Sequence, residues 1–109
     1  MMVDLELDEL KREFLAEADE KVREMQAKLD GEQSPEALER LTYLAHQLKG
    51  SGGSYGFSRI STDAAEIESA VELLTKEGAR PGIDDRIQEH AFSLRAEVDR
   101  RMKEFGVSR

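Results

Sequence analysis

Apolar residues recur along this chain in steps of three and four, not two. Leu7, Leu10, Phe14, Ala18, Val22, Met25 and Leu29 fall on one face of a helix, which predicts a first helix over residues 5–30. Gly31 follows it as a residue suited to a left-handed turn. Ser34 and Pro35 read as an N-cap and a first helical residue, with Glu36 in the first turn, and open a second helix that runs toward a turn at Gly56. Ile60, Ala64, Ile67, Val71 and Leu74 define a third helix ending near Gly78. Pro81 starts a fourth over residues 82–105, with the stripe Ile83, Ile87, Ala91, Leu94, Val98, Met102 and Phe105 and a stop at Gly106. Four amphipathic helices on short connections bury their stripes most economically as an antiparallel up-down-up-down four-helix bundle. The expected fold is therefore all-α, one domain over residues 1–109.

Composition narrows the chemistry. The 109 residues include no Cys, which removes disulfide frameworks, CxxC redox pairs and thiolate zinc sites and favours a cytoplasmic setting. No apolar run approaches the roughly 18 residues that span a bilayer, and the acidic start Asp4-Leu5-Glu6 is unlike a targeting segment. A net charge of −8 opposes binding to nucleic acid, which draws its affinity from Lys and Arg. The charge is uneven, however. The 23 residues from Arg40 to Thr62 contain no Asp or Glu, where even spreading would place about five. They hold Arg40, Lys49 and Arg59, and four of the eight glycines: Gly50, Gly52, Gly53 and Gly56.

That window lies on the second helix. At about 100° per residue, Leu41, Leu44, Leu48 and Tyr55 cluster opposite His46, so they form the core stripe and the imidazole points to solvent. Lys49, Gly50, Gly53, Thr42 and Tyr43 share the His46 side. Each glycine costs a helix roughly 1 kcal/mol relative to Ala, a cost explained if another surface must approach closely. A neutral imidazole with a free ring nitrogen is a nucleophile near neutral pH, and an adjacent ammonium can stabilise the charge on a transferring phosphoryl group. The bland readings are that His46 is structural, that Lys49 is one more surface lysine and that the glycines mark a fraying helix end. Fraying suits Gly56 but not Gly50. Tyr55 and Phe57 read as packing residues, and the charged outer faces of the other helices as solvated surface.

The stretch Ala45-His46-Gln47-Leu48-Lys49-Gly50-Ser51-Gly52-Gly53-Ser54-Tyr55-Gly56-Phe57 resembles the signature of histidine-containing phosphotransfer (HPt) domains. Its Gly-Ser-Tyr-Gly-Phe ending is particularly similar to those of chemotaxis-type and some hybrid histidine kinases, and the spacing Glu68-x-x-x-Glu72 on the third helix fits the same layout. The resemblance implies that His46 is phosphorylated and that Lys49 helps hold the phosphoryl group. It implies that Gly50 and Gly53 keep the face open, with Thr42, Tyr43 and Gln47 joining them in partner docking. The implied partners are response-regulator receiver domains, whose aspartate exchanges the phosphoryl group, and a histidine kinase. The implied protein is a carrier, with no cofactor of its own and with Mg²⁺ supplied by the receiver. No GxxxxGK[ST] loop is present. Dimerisation and ATP-binding domains found in chemotaxis kinases are missing from these residues, so if they are the whole protein it is a free-standing relay module, expected to be a monomer.

Three other readings compete. A carboxylate-bridged metal bundle needs Glu three residues before His, but Tyr43 precedes His46 and Ile87 precedes His90 at that spacing, so no metal site is expected. His90 reads as a boundary residue without a special role. A helical scaffold, or a phosphotransfer fold that binds receivers without accepting phosphate, would not need His46, Lys49 and Gly50 together.

Overall fold

The computed structural model describes residues 4–108, which form α1 (Asp4–Asp30), α2 (Pro35–Ser54), α3 (Ser58–Glu77) and α4 (Pro81–Phe105). Consecutive helices pack against each other and α4 closes onto α1, giving the expected antiparallel four-helix bundle. Most of the predicted stripes form its core: Phe14, Ala18, Val22, Met25 and Leu29 of α1 meet Leu41, Leu44 and Leu48 of α2, Ile60 to Leu74 of α3 and Ile87 to Met102 of α4, while Ile83 and Phe105 pack at its edge and Leu7 and Leu10 are only half-buried and lie outside it. Tyr55 is only half-buried, because it follows the last residue of α2 and lies against Phe14, ring centroids 5.4 Å apart.

Local chemistry sets the helix ends. Ser34 Oγ accepts the Ala37 amide at 3.2 Å and Pro35 occupies the first helical position, a cap of about 1 kcal/mol. At the other end of α2 Gly56 takes φ +82°, and the Phe57 amide donates to the Gly52 carbonyl at 2.8 Å. This turn delivers Phe57 onto Phe14, 5.7 Å between ring centroids. Gly106 closes α4 in the left-handed conformation, and Arg12 Nε donates to the Phe105 carbonyl at 3.0 Å, tying that end to α1.

Several expectations need correcting. Gly31 is not left-handed: positive φ occurs at Gly56, Gly78 and Gly106, whereas the Gly31 amide still makes the helical bond to the Ala27 carbonyl at 3.1 Å. Nor are the charged faces wholly solvated. Asp19, Asp63 and Glu97 are each only 5% exposed. Arg95 and Arg23 hold Asp19, and Arg100 with Arg101 hold Glu97. Burial works to raise the Glu97 pKa, but the two guanidiniums outweigh it and keep the carboxyl below its ordinary value.

Candidate functional site

Residues 41, 44 and 48 anchor α2 by burial, which turns His46 outward with its side chain 67% exposed. The antiparallel α3 lies alongside, and Glu68, its side chain only 14% exposed, reaches across beneath the ring. His46 Nδ1 lies 2.9 Å from Glu68 Oε2, and the Lys49 ammonium donates to Glu68 Oε1 at 2.7 Å. One carboxylate thus receives both groups. Its bond from Lys49, joined by His46, holds the Glu68 pKa below its ordinary value of 4.5 against partial burial, so it is an anion at neutral pH. A carboxylate can only accept, so the ring tautomer that satisfies it carries its proton on Nδ1 and presents a bare Nε2.

The remaining predicted residues assemble around this centre. Gly50 is exposed, and a Cβ placed there would meet nothing within 4 Å, so the backbone beside His46 is open. Gly53 is exposed one turn further, above Ser61. Tyr43, 51% exposed, accepts a hydrogen bond from Gln47 Nε2 at 2.7 Å. Arg40 lies over the Tyr43 ring at 5.3 Å. Thr42, half-buried, lines an apolar groove of about 420 Å³ with Pro35, Leu38, Leu74 and Thr75 between α2 and α3. Gly52 differs from its neighbours: it is buried, and a Cβ there would come within 3.2 Å of Ile60 and the Ser61 amide. Its missing side chain serves the packing of α3, not an incoming partner.

Glu68 is the site residue that sequence reasoning did not single out. In the sequence Glu68 and Glu72 stand together only as part of the family's layout, and that Glu68 faces α2 becomes legible only once the α2–α3 register is known. The acid-free window is likewise free of acids only along the chain. In space, Glu68 enters from α3, and Glu24 enters from α1 to bind Arg40 at 2.6 and 3.0 Å. His90, expected to be without a role, places Nδ1 3.0 Å from buried Asp63, which also accepts from Ser93 Oγ at 2.7 Å. That network joins α3 to α4. Among the described residues no group of three or more His, Asp or Glu is arranged to hold a metal ion, and no helix is long and apolar enough to cross a membrane.

An α-helical bundle presenting one carboxylate-held imidazole on an open, glycine-flanked face has the form of a phosphoryl carrier. Residues 9–103 match the Hpt domain family, and the chain belongs to it. Membership gives the chain a phosphotransfer role in two-component signalling, as a phosphocarrier that interacts with receiver domains and kinases. No curated protein and no solved structure matches it.

Proposed function

We propose that His46 carries the phosphoryl group on Nε2, receiving it from a receiver aspartyl phosphate or a histidine kinase acting in trans, and passing it to a receiver aspartate. The observation that supports this most is the contact between Nδ1 and Glu68, which in the neutral ring favours the tautomer with its proton on Nδ1 and its lone pair on Nε2, on a side chain that is two-thirds exposed.

In the forward step the Nε2 lone pair attacks phosphorus while the P–O bond to the donor aspartate breaks, and that carboxylate departs with the bonding pair. No proton has to move. The imidazole gains positive charge as the P–N bond forms, and the anionic Glu68 at the Nδ1–H stabilises it. Reversal regenerates the neutral ring. The transferring group is loose and its charge sits on the three equatorial oxygens. Lys49, on a flexible four-carbon stem next to the ring, can turn from Glu68 toward those oxygens. Gly50 and Gly53 leave room for the partner's active-site rim, with Thr42, Tyr43 and Gln47 as the contacts around it. Mg²⁺ belongs to the receiver's acidic pocket in this scheme.

The test is to mix the chain with phosphorylated receivers and follow acid-labile, base-stable label. The wild type becomes labelled and His46→Gln does not. A scaffold would instead keep partner affinity and take no label in either form, which would remove the carrier reading.

A further inference from the structure

The Lys49 residue is held by α3 at two points. Its ammonium binds Glu68 at 2.7 Å, and its main-chain carbonyl accepts a hydrogen bond from Ser61 Oγ at 2.8 Å. The geometry follows from helix direction. Carbonyls point toward the C-terminus of α2 and long side chains lean toward its N-terminus, so an antiparallel α3 meets the carbonyl with its early residue and the ammonium with its later one. Ser61 and Glu68 are seven residues apart, two turns along one face of α3, or about 10 Å.

The α2 segment from Lys49 to its end at Ser54 is weak by itself, since Gly50, Gly52 and Gly53 remove side-chain support from its last turns. What fixes it comes from α3 and the turn. Gly52 lets the α3 backbone approach so closely that a Cβ would lie 3.2 Å from the Ser61 amide, and the Phe57 amide binds the Gly52 carbonyl at 2.8 Å. Ser61 Oγ is the only side-chain hydrogen bond from α3 to the backbone of this segment among the described residues.

We propose that Ser61 is a positioning residue for phosphoryl transfer: its hydroxyl, bonded to the Lys49 carbonyl, sets the register of α3 against glycine-rich α2 at which Glu68 reaches both the Lys49 ammonium and His46 Nδ1. The inference rests on the carrier reading above. Ser61 touches neither His46 nor an incoming phosphoryl group, and acts through the placement of Lys49 and Glu68.

The test uses the full chain with Ser61→Ala, and with Ser61→Cys as a nearly isosteric variant should the alanine form pack poorly. Three readouts are the rate of transfer from a phosphorylated receiver, the rate of labelling by phosphoramidate, and the ¹⁵N shifts of the His46 ring. Both rates fall about fivefold, the factor equal to one ordinary hydrogen bond. The two ring-nitrogen signals, separate in the wild type, move toward each other as the tautomers mix. Ser61→Thr, which keeps the hydroxyl, restores both. Thr75→Ala removes a hydroxyl-to-carbonyl bond that stays within α3, to Val71 at 2.9 Å, and leaves rates and shifts at wild-type values. If Ser61→Ala and Ser61→Cys lower the thermal midpoint but leave the ring shifts and both rates unchanged, Ser61 is merely structural and the proposal is overturned. A wild type that takes no label from either donor overturns the carrier reading instead, while the ring shifts still decide whether Ser61 positions His46.

Discussion

The two histidines of this bundle are held alike and placed differently. Each directs Nδ1 to a carboxylate of α3, His46 to Glu68 at 2.9 Å and His90 to Asp63 at 3.0 Å. The difference lies on the other ring nitrogen. His46 is two-thirds exposed, with open backbone at Gly50 and a lysine alongside. His90 is 27% exposed, its Nε2 lies 3.9 Å from Glu66, and Arg86 pins that second carboxylate at 2.7 Å. A phosphoryl dianion arriving at His90 would meet like charge, whereas at His46 it meets an ammonium. A carboxylate-held imidazole is thus not a site in itself. Access and the sign of the second neighbour decide between a reactive ring and a strut between helices.

The sharpest way to break this contrast is to remove each ring in turn. His46→Gln abolishes phosphoryl acceptance from receivers, and His90→Gln leaves it close to wild type; labelled-protein assays read both. Gly50→Glu comes next. It adds bulk and negative charge to the open face, so receiver-dependent transfer is blocked while helical circular dichroism is retained, because nothing lies within 4 Å of that Cβ. Glu68→Gln keeps an acceptor for Nδ1–H but loses the charge that supports the phosphorylated ring, and transfer falls about tenfold to a hundredfold. Asp63→Ala works on the other side of the comparison. It strands His90 and Ser93 and costs about 1–3 kcal/mol in denaturant unfolding, with transfer per folded molecule unchanged.

Acid gives the smallest effect. Glu68 has its folded pKa below the ordinary value of 4.5, through Lys49 and His46. The folded state therefore binds its proton less readily than the unfolded state, and the bridge contributes stability above the ordinary value that is lost as pH falls through the folded one. Unfolding midpoints measured from pH 5 downward decline in the wild type, and Glu68→Gln flattens that decline.

Much of this was legible in the sequence, for definable reasons. Steps of three and four gave the first, third and fourth helices, the Ser34-Pro35 cap opened the second, and the wheel placed His46 opposite Leu41, Leu44 and Leu48, because burial of one stripe dictates what the opposite face presents. Contacts between helices were not legible. Whether Glu68 lies under His46, whether Ser61 reaches the Lys49 carbonyl and whether Gly52 serves a neighbouring helix or a partner all depend on axial register, which no single helical wheel contains. The same limit hid Asp63. A carboxylate near the start of an amphipathic helix resembles solvated surface until His90 and Ser93 of α4 are brought against it.

The central claim concerns one atom. Phosphorus–nitrogen correlation by NMR on ¹⁵N-labelled protein, phosphorylated by a receiver, locates the phosphoryl group without cleaving the chain. The account predicts phosphorus on Nε2 of His46 with the proton retained on Nδ1. Phosphorus on Nδ1, on His90, or on any group that persists in His46→Gln would contradict it.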